Sequence, residues 1–161
     1  MNKYFSLKNF CGFEITRPVC DMAAFFGYEL QDNADPCLQI IFADNKLQAD
    51  LLADGQKYSS QILCQAESGS EIASGEITRC VKLAVLDVFG QFTGAKPELP
   101  WGILTGVRPG KLAHKLLDSG IAAEELAAVL HKKYLLPAEK GELLKNIAVK
   151  QKQILDDSTR F

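Results

Sequence analysis

The 161-residue chain sets 18 Lys+Arg against 20 Asp+Glu, a net charge of −2, with 47% hydrophobic and 24% charged residues. These are ordinary globular values: they exclude a disordered chain, argue against bulk nucleic-acid binding, and fit one domain or two small ones. The charge is uneven, since residues 1–100 hold 8 cations and 13 acids while residues 101–161 hold 10 and 7, so the second part can meet an anion or an acidic surface.

In chain order, Lys3–Leu7 reads as a short strand. Arg17–Tyr28 reads as a helix, with Thr16 as N-cap, Pro18 in the first turn, and Val19, Met22, Ala23 and Phe26 at helical spacing. The cluster 32–36 is a loop. Cys37–Ala43, Lys46–Ala53 and a run from Gln56 to Glu67 read as strands. Asp44-Asn45 and the hairpin signal Asp54-Gly55 separate them, which predicts an antiparallel meander. Gly75–Thr93 is the clearest helix. Ile77, Val81, Ala84, Val85, Val88, Phe89 and Phe92 form one apolar stripe, with Ser74 to cap its start and Gly94 to end it. Residues 1–96 therefore read as an α+β subdomain, a small antiparallel sheet covered by helices. Residues 97–112 form a Pro/Gly-rich junction, and residues 113–155 belong to an all-helical portion. Its helices are Lys111–Leu117, Ala123–Tyr134 and one opened by Pro137 and running to about Leu155. The polar end 156–161 reads as the start of a linker.

The five cysteines, Cys11, Cys20, Cys37, Cys64 and Cys80, are odd in number and contain no Cys-x-x-Cys pair. They read as reduced, mostly buried thiols of a cytoplasmic protein rather than as a metal site. No stretch has the pattern of a signal peptide or the length of a membrane span. His114 and His131 have no acid at ligand spacing, and no Gly-x-Ser-x-Gly elbow is present. The two helices around Gly120 have the order of a helix-turn-helix, but the second begins with Glu124-Glu125 where a reading helix offers polar or basic groups to bases.

The densest segment is 99–112, Leu-Pro-Trp-Gly-Ile-Leu-Thr-Gly-Val-Arg-Pro-Gly-Lys-Leu, which holds two prolines, three glycines, the sole tryptophan and two cations. Arg108 and Lys111 lie three residues apart at a helix start, preceded by Thr105-Gly106. Free N–H groups and two cations can hold a carboxylate or phosphate there. The plain alternative is that Pro109 starts a helix, Arg108 pairs with an acid and Lys111 is solvated. The spacing is not that of a P-loop, because Leu112 follows Lys111. Trp101 is either a stacking platform or a packing anchor.

This segment resembles the Pro-Trp-Gly-x-Leu-Thr-Gly-x-Arg-Pro-x-Lys-Leu stretch of the oxygen-independent coproporphyrinogen III oxidase-like radical S-adenosylmethionine proteins, also called coproporphyrinogen dehydrogenases. Residues 134–144, Tyr-Leu-Leu-Pro-Ala-Glu-Lys-Gly-Glu-Leu-Leu, resemble that family's Tyr-Leu-Val-Ser-Pro-Glu-Lys-Ala-Glu-Leu stretch, with Pro137 displaced by one. The resemblance implies an N-terminal accessory domain that carries no catalytic or metal residue. A barrel would follow, binding a [4Fe–4S] cluster and S-adenosylmethionine through Cys-x-x-x-Cys-x-x-Cys, and would decarboxylate porphyrinogen propionates in haem biosynthesis. The expected partners are that barrel and, further, the tetrapyrrole, with neither membrane nor nucleic acid. Trp101, Thr105, Arg108 and Lys111 are the candidate docking or substrate-contacting residues. Alternatives are the equivalent domain of a haem-chaperone-type relative, or a free-standing protein- or nucleic-acid-binding module.

Overall fold

The computed structural model describes residues 2–66 and 73–159 and divides the chain into two compact units, Met1–Glu98 and Leu99–Phe161. The first holds β1 (Lys3–Phe10), α1 (Thr16–Ala24), β2 (Tyr28–Leu30), β3 (Cys37–Ala43), β4 (Lys46–Ala53), β5 (Gln56–Leu63) and α2 (Ser74–Thr93). The strands form one sheet in the order β2-β1-β3-β4-β5.

The α+β class is as expected, but the sheet is mixed rather than antiparallel. β3, β4 and β5 form the expected meander, with Leu38 opposite Leu51 and Leu51 opposite Tyr58. β1 instead lies parallel to both β2 and β3, pairing Phe5 with Leu30 and Leu7 with Leu38. A parallel neighbour requires a crossover, and α1 supplies it between β1 and β2. The hairpin turns are set locally: Asp44, Asn45, Asp54 and Gly55 all have positive φ, which suits two-residue turns between twisted strands.

Helices cover one sheet face. Phe5, Leu38, Ile40, Leu47, Ala49 and Leu51 are fully buried there, against Val19 and Met22 of α1 and Ile77, Val81, Val85 and Val88 of α2. Phe89 is the hub, with ring centroids 5.5 Å from Phe5, 5.7 Å from Phe26 and 5.2 Å from Tyr28. Among the helix ends, Gly94 takes the left-handed conformation expected of it, at φ 67°. The expected caps differ. Ile15 and Ala73 occupy the N-cap positions without side-chain caps, and the Thr16 N–H is satisfied instead by Glu14 Oε1 at 2.8 Å. α1 also stops at Ala24, because Gly27 (φ 78°) turns the chain into β2. β5 stops at Leu63, short of the expected run to Glu67: residues 64–66 are not strand, and residue 67 lies outside those described.

The second unit is a three-helix bundle of α3 (Pro109–Asp118), α4 (Ala123–Tyr134) and α5 (Ala138–Ser158). Its core is Leu104, Ala113, Leu126, Leu130, Leu136, Leu144 and Ala148, with Leu112, Leu116, Leu117 and Tyr134 packed around it. Gly141 on α5 marks the closest helix approach, where a Cβ would lie 3.3 Å from Ala127 on α4. α5 runs three residues past Leu155, so 156–158 are helix rather than linker; residues 160 and 161 lie outside those described.

Candidate functional site

The four residues singled out in the sequence, Trp101, Thr105, Arg108 and Lys111, all lie at the start of the helical unit. The segment carrying Trp101 is a tight turn in which Gly102 N–H donates to Leu99 O (3.0 Å) and Leu104 N–H to Trp101 O (3.1 Å). It is seated on the carboxyl end of α4. Gly102 has φ 56°, and a Cβ on it would fall 2.1 Å from Tyr134 O and 2.7 Å from Leu135 C. Only glycine permits that approach. Next to it, Ile103 N–H donates to Tyr134 O at 2.9 Å, and Ile103 and Leu104 are buried.

The receiving side is itself fixed. Leu135 closes α4 in the left-handed conformation at φ 56°. His131 Nδ1 lies 2.8 Å from Leu136 O, so that nitrogen carries the donated proton. Lys140 on the first turn of α5 places Nζ 4.8 Å from the centre of the Trp101 ring, a cation–π contact. The two segments that carry the family resemblance, 99–112 and 134–144, thus meet in one seat although 21 residues (113–133) separate them.

Trp101 O accepts from Leu104 N–H within the turn, and 37% of the residue's surface remains exposed. Thr105 is half-buried, with its N–H donated to Ile103 O at 2.9 Å. Arg108 is the N-cap residue of α3 and provides no side-chain cap, and Pro109 takes the first helical position as expected. Arg108 and Lys111 are exposed. Neither side chain enters an ion pair among the described residues, so the acid that would neutralise Arg108 is absent from that set. The structure therefore brings Trp101 together with Lys140, and its neighbours Gly102 and Ile103 together with Tyr134 and Leu135. It leaves Arg108 and Lys111 without an ion pair, among the described residues, at the start of α3. Lys140 and Gly102 had no local signal of their own role, since what each touches is distant in sequence.

The remaining histidine, His114, is 2.8 Å from Gln151 Oε1 across the bundle. Among the described residues no three His, Cys, Asp or Glu side chains converge as metal ligands. The thiols of Cys20, Cys64 and Cys80 have pKa values raised, burial being the main cause. Among the described residues no helix is long and apolar enough to cross a membrane.

Over 85 residues the chain is 36% identical to the oxygen-independent coproporphyrinogen-III oxidase-like protein HemZ of Bacillus subtilis (strain 168). The match takes in 53% of this chain and 17% of the relative, so the chain spans about a sixth of the length of the curated protein it matches. No family model and no solved structure matches the chain. Over that stretch the chain is related to a coproporphyrinogen-III oxidase-like protein.

Proposed function

We propose that this chain is an N-terminal accessory domain of a radical S-adenosylmethionine protein of the oxygen-independent coproporphyrinogen III oxidase-like kind. In that reading a following barrel binds the [4Fe–4S] cluster and S-adenosylmethionine and decarboxylates the porphyrinogen propionates. This domain docks on the barrel through the seat around Trp101, and Arg108 and Lys111 face the substrate carboxylates. The observation that carries the reading is the meeting of 99–112 and 134–144 in one rigid seat, within a chain related to HemZ.

The chemistry of the seat supports both roles. A turn fixed by Gly102 and Ile103 presents a half-exposed indole, as an interface anchor requires. Two unpaired cations beside a helix start suit a ligand with several carboxylates, such as a coproporphyrinogen.

Two measurements test it. The natural reading frame is expected to continue past Phe161 into a Cys-x-x-x-Cys-x-x-Cys segment; a stop codon there would sink the accessory-domain reading. In the extended protein, replacing Arg108 and Lys111 together with alanine is expected to raise the KM for coproporphyrinogen at unchanged thermal stability. An unaltered KM would leave docking as the segment's role, and selective retention of haem over coproporphyrin would move the reading to a haem-chaperone relative.

A further inference from the structure

β5 is an edge strand of the sheet, and its backbone shows which residues look outward. Cys64 N–H donates to Asn45 O at 2.8 Å, and these two residues extend the β4–β5 register by one position. Hydrogen-bonded pairs alternate along an antiparallel ladder, so residues 62, 60, 58 and 56 also bond to β4. Residues 57, 59, 61 and 63 therefore turn their N–H and C=O away from β4. Gln91 of α2 agrees with this: its Nε2 donates to Ser59 O at 3.1 Å, on the side where a further strand would donate. Among the described residues no strand pairs with that side of β5. Sheets that end in a long strand blunt it with proline, a bulge or several charges. β5, Gln-Lys-Tyr-Ser-Ser-Gln-Ile-Leu, has no proline and one charged residue. Its register with β4 runs unbroken from Ala53–Gln56 to Lys46–Leu63, so no bulge twists it away. The other edge strand, β2, is kept to three residues.

We propose that β5 pairs antiparallel with β5 of a second copy of this chain, joining two five-stranded sheets across a twofold axis at Ser60. A twofold contact sets the same strand on both sides, so the strand must complement itself. With Ser60 on the axis, Ser59 stands opposite Gln61 of the partner copy and Lys57 opposite Leu63 of the partner copy. All four outward-facing residues then exchange backbone hydrogen bonds with one another. No like charges meet in this register. Leu63, 63% exposed, gains a cover: the aliphatic stem of the opposing lysine, whose ammonium is held 3.0 Å from Asp50 Oδ2. The Gln91 amide gives up its bond to Ser59 O, and a backbone N–H of the partner copy replaces it.

Sedimentation velocity of the 161-residue chain over about 2–200 µM is expected to show a monomer–dimer equilibrium. Gln61→Pro removes an N–H that points only outward, as proline permits on an edge. It is expected to raise the dissociation constant at least about tenfold, since each copy loses a hydrogen bond, with far-ultraviolet dichroism unchanged. Leu63→Lys sets a cation opposite Lys57 of the partner copy and is expected to weaken the dimer likewise. Leu63→Glu sets an anion there and is expected to retain it. Because Leu63 is exposed, these two variants leave the fold of each copy intact and decide the matter even where the proline disturbs β5. A chain that stays monomeric at about 200 µM overturns the inference. So does a dimer indifferent to Gln61→Pro and Leu63→Lys, which would place the contact on another surface. Equal weakening by Leu63→Lys and Leu63→Glu overturns the strand register and the pairing built on it.

Discussion

Gly102→Ala is the sharpest perturbation of the seat. The new Cβ would lie 2.1 Å from Tyr134 O and 2.8 Å from Leu135 O, and both are backbone atoms that no rotamer change can move. Holding alanine at φ 56° costs about 1 kcal/mol. Relieving the clash requires the turn to retreat by about 1 Å, since carbon and oxygen pack no closer than ~3.2 Å. That retreat breaks the Ile103 N–H bond to Tyr134 O, worth about 1 kcal/mol. It also lifts Ile103 and Leu104 from burial, at a further ~1–2 kcal/mol. The sum, about 3–4 kcal/mol, rivals the whole stability of a unit of this size, roughly 3–9 kcal/mol. Urea unfolding followed by far-ultraviolet dichroism and by emission of the sole tryptophan reads it directly. Gly110→Ala is the control: no heavy atom lies within 4 Å of its added Cβ and its φ is not positive, so stability should hold or rise by about 0.5 kcal/mol. A Gly102→Ala protein that unfolds at the wild-type urea midpoint would refute the seat as described.

Phe89→Ala empties the centre of the first unit, where Phe5, Phe26 and Tyr28 converge, and is expected to cost about 3–5 kcal/mol in denaturant unfolding. Asp50 is 5% exposed, takes hydrogen bonds from Ser59 Oγ (2.7 Å) and Gln48 Nε2 (2.8 Å), and pairs with Lys57 Nζ at 3.0 Å. Burial pushes its carboxyl pKa up, but those hydrogen bonds and the Lys57 charge together hold it below its ordinary value. The stability it supplies is therefore fully present above about pH 4 and lost as the pH falls through the lower folded-state pKa. Asp50→Asn should flatten the stability curve across that acid window, and an unchanged slope would refute the assignment. Lys140→Met removes the cation over Trp101; it should shift the tryptophan emission and cost less than about 1 kcal/mol.

Local signals in the sequence announce their elements, and non-local pairings do not. β3, β4 and α4 have the expected boundaries because Asp44-Asn45, Asp54-Gly55 and Glu124-Glu125 act within two or three residues of the element they delimit. β2 has no sequence signal of its own: the expected helix takes in its first residue, Tyr28, and leaves Glu29 and Leu30 unassigned, since three residues carry no measurable alternation and a short turn ending at Gly27 separates them from α1. The parallel pairing of β1 with β3 spans 31 residues in the Ser6–Cys37 register, and no adjacent turn announces it. The caps failed for a related reason: Thr16 and Ser74 have the right chemistry, but they are already inside their helices.

The site followed the same division. Trp101, Arg108 and Lys111 stood out by residue type, while the geometry that decides between their roles came from Tyr134, Leu135 and Lys140. With Lys140 Nζ 4.8 Å from the ring centre, one face of the indole is already engaged. A planar ligand stacking on that face would have to displace an ammonium held by about 0.5–1 kcal/mol. A protein surface arriving at the exposed part of the ring displaces nothing, and adds its own apolar contact to an indole whose backbone is already immobile. The cations need no such concession, because Arg108 and Lys111 have no ion pair among the described residues. If the accessory-domain proposal holds, the indole would serve docking, and Arg108 and Lys111 would meet any carboxylate of the substrate.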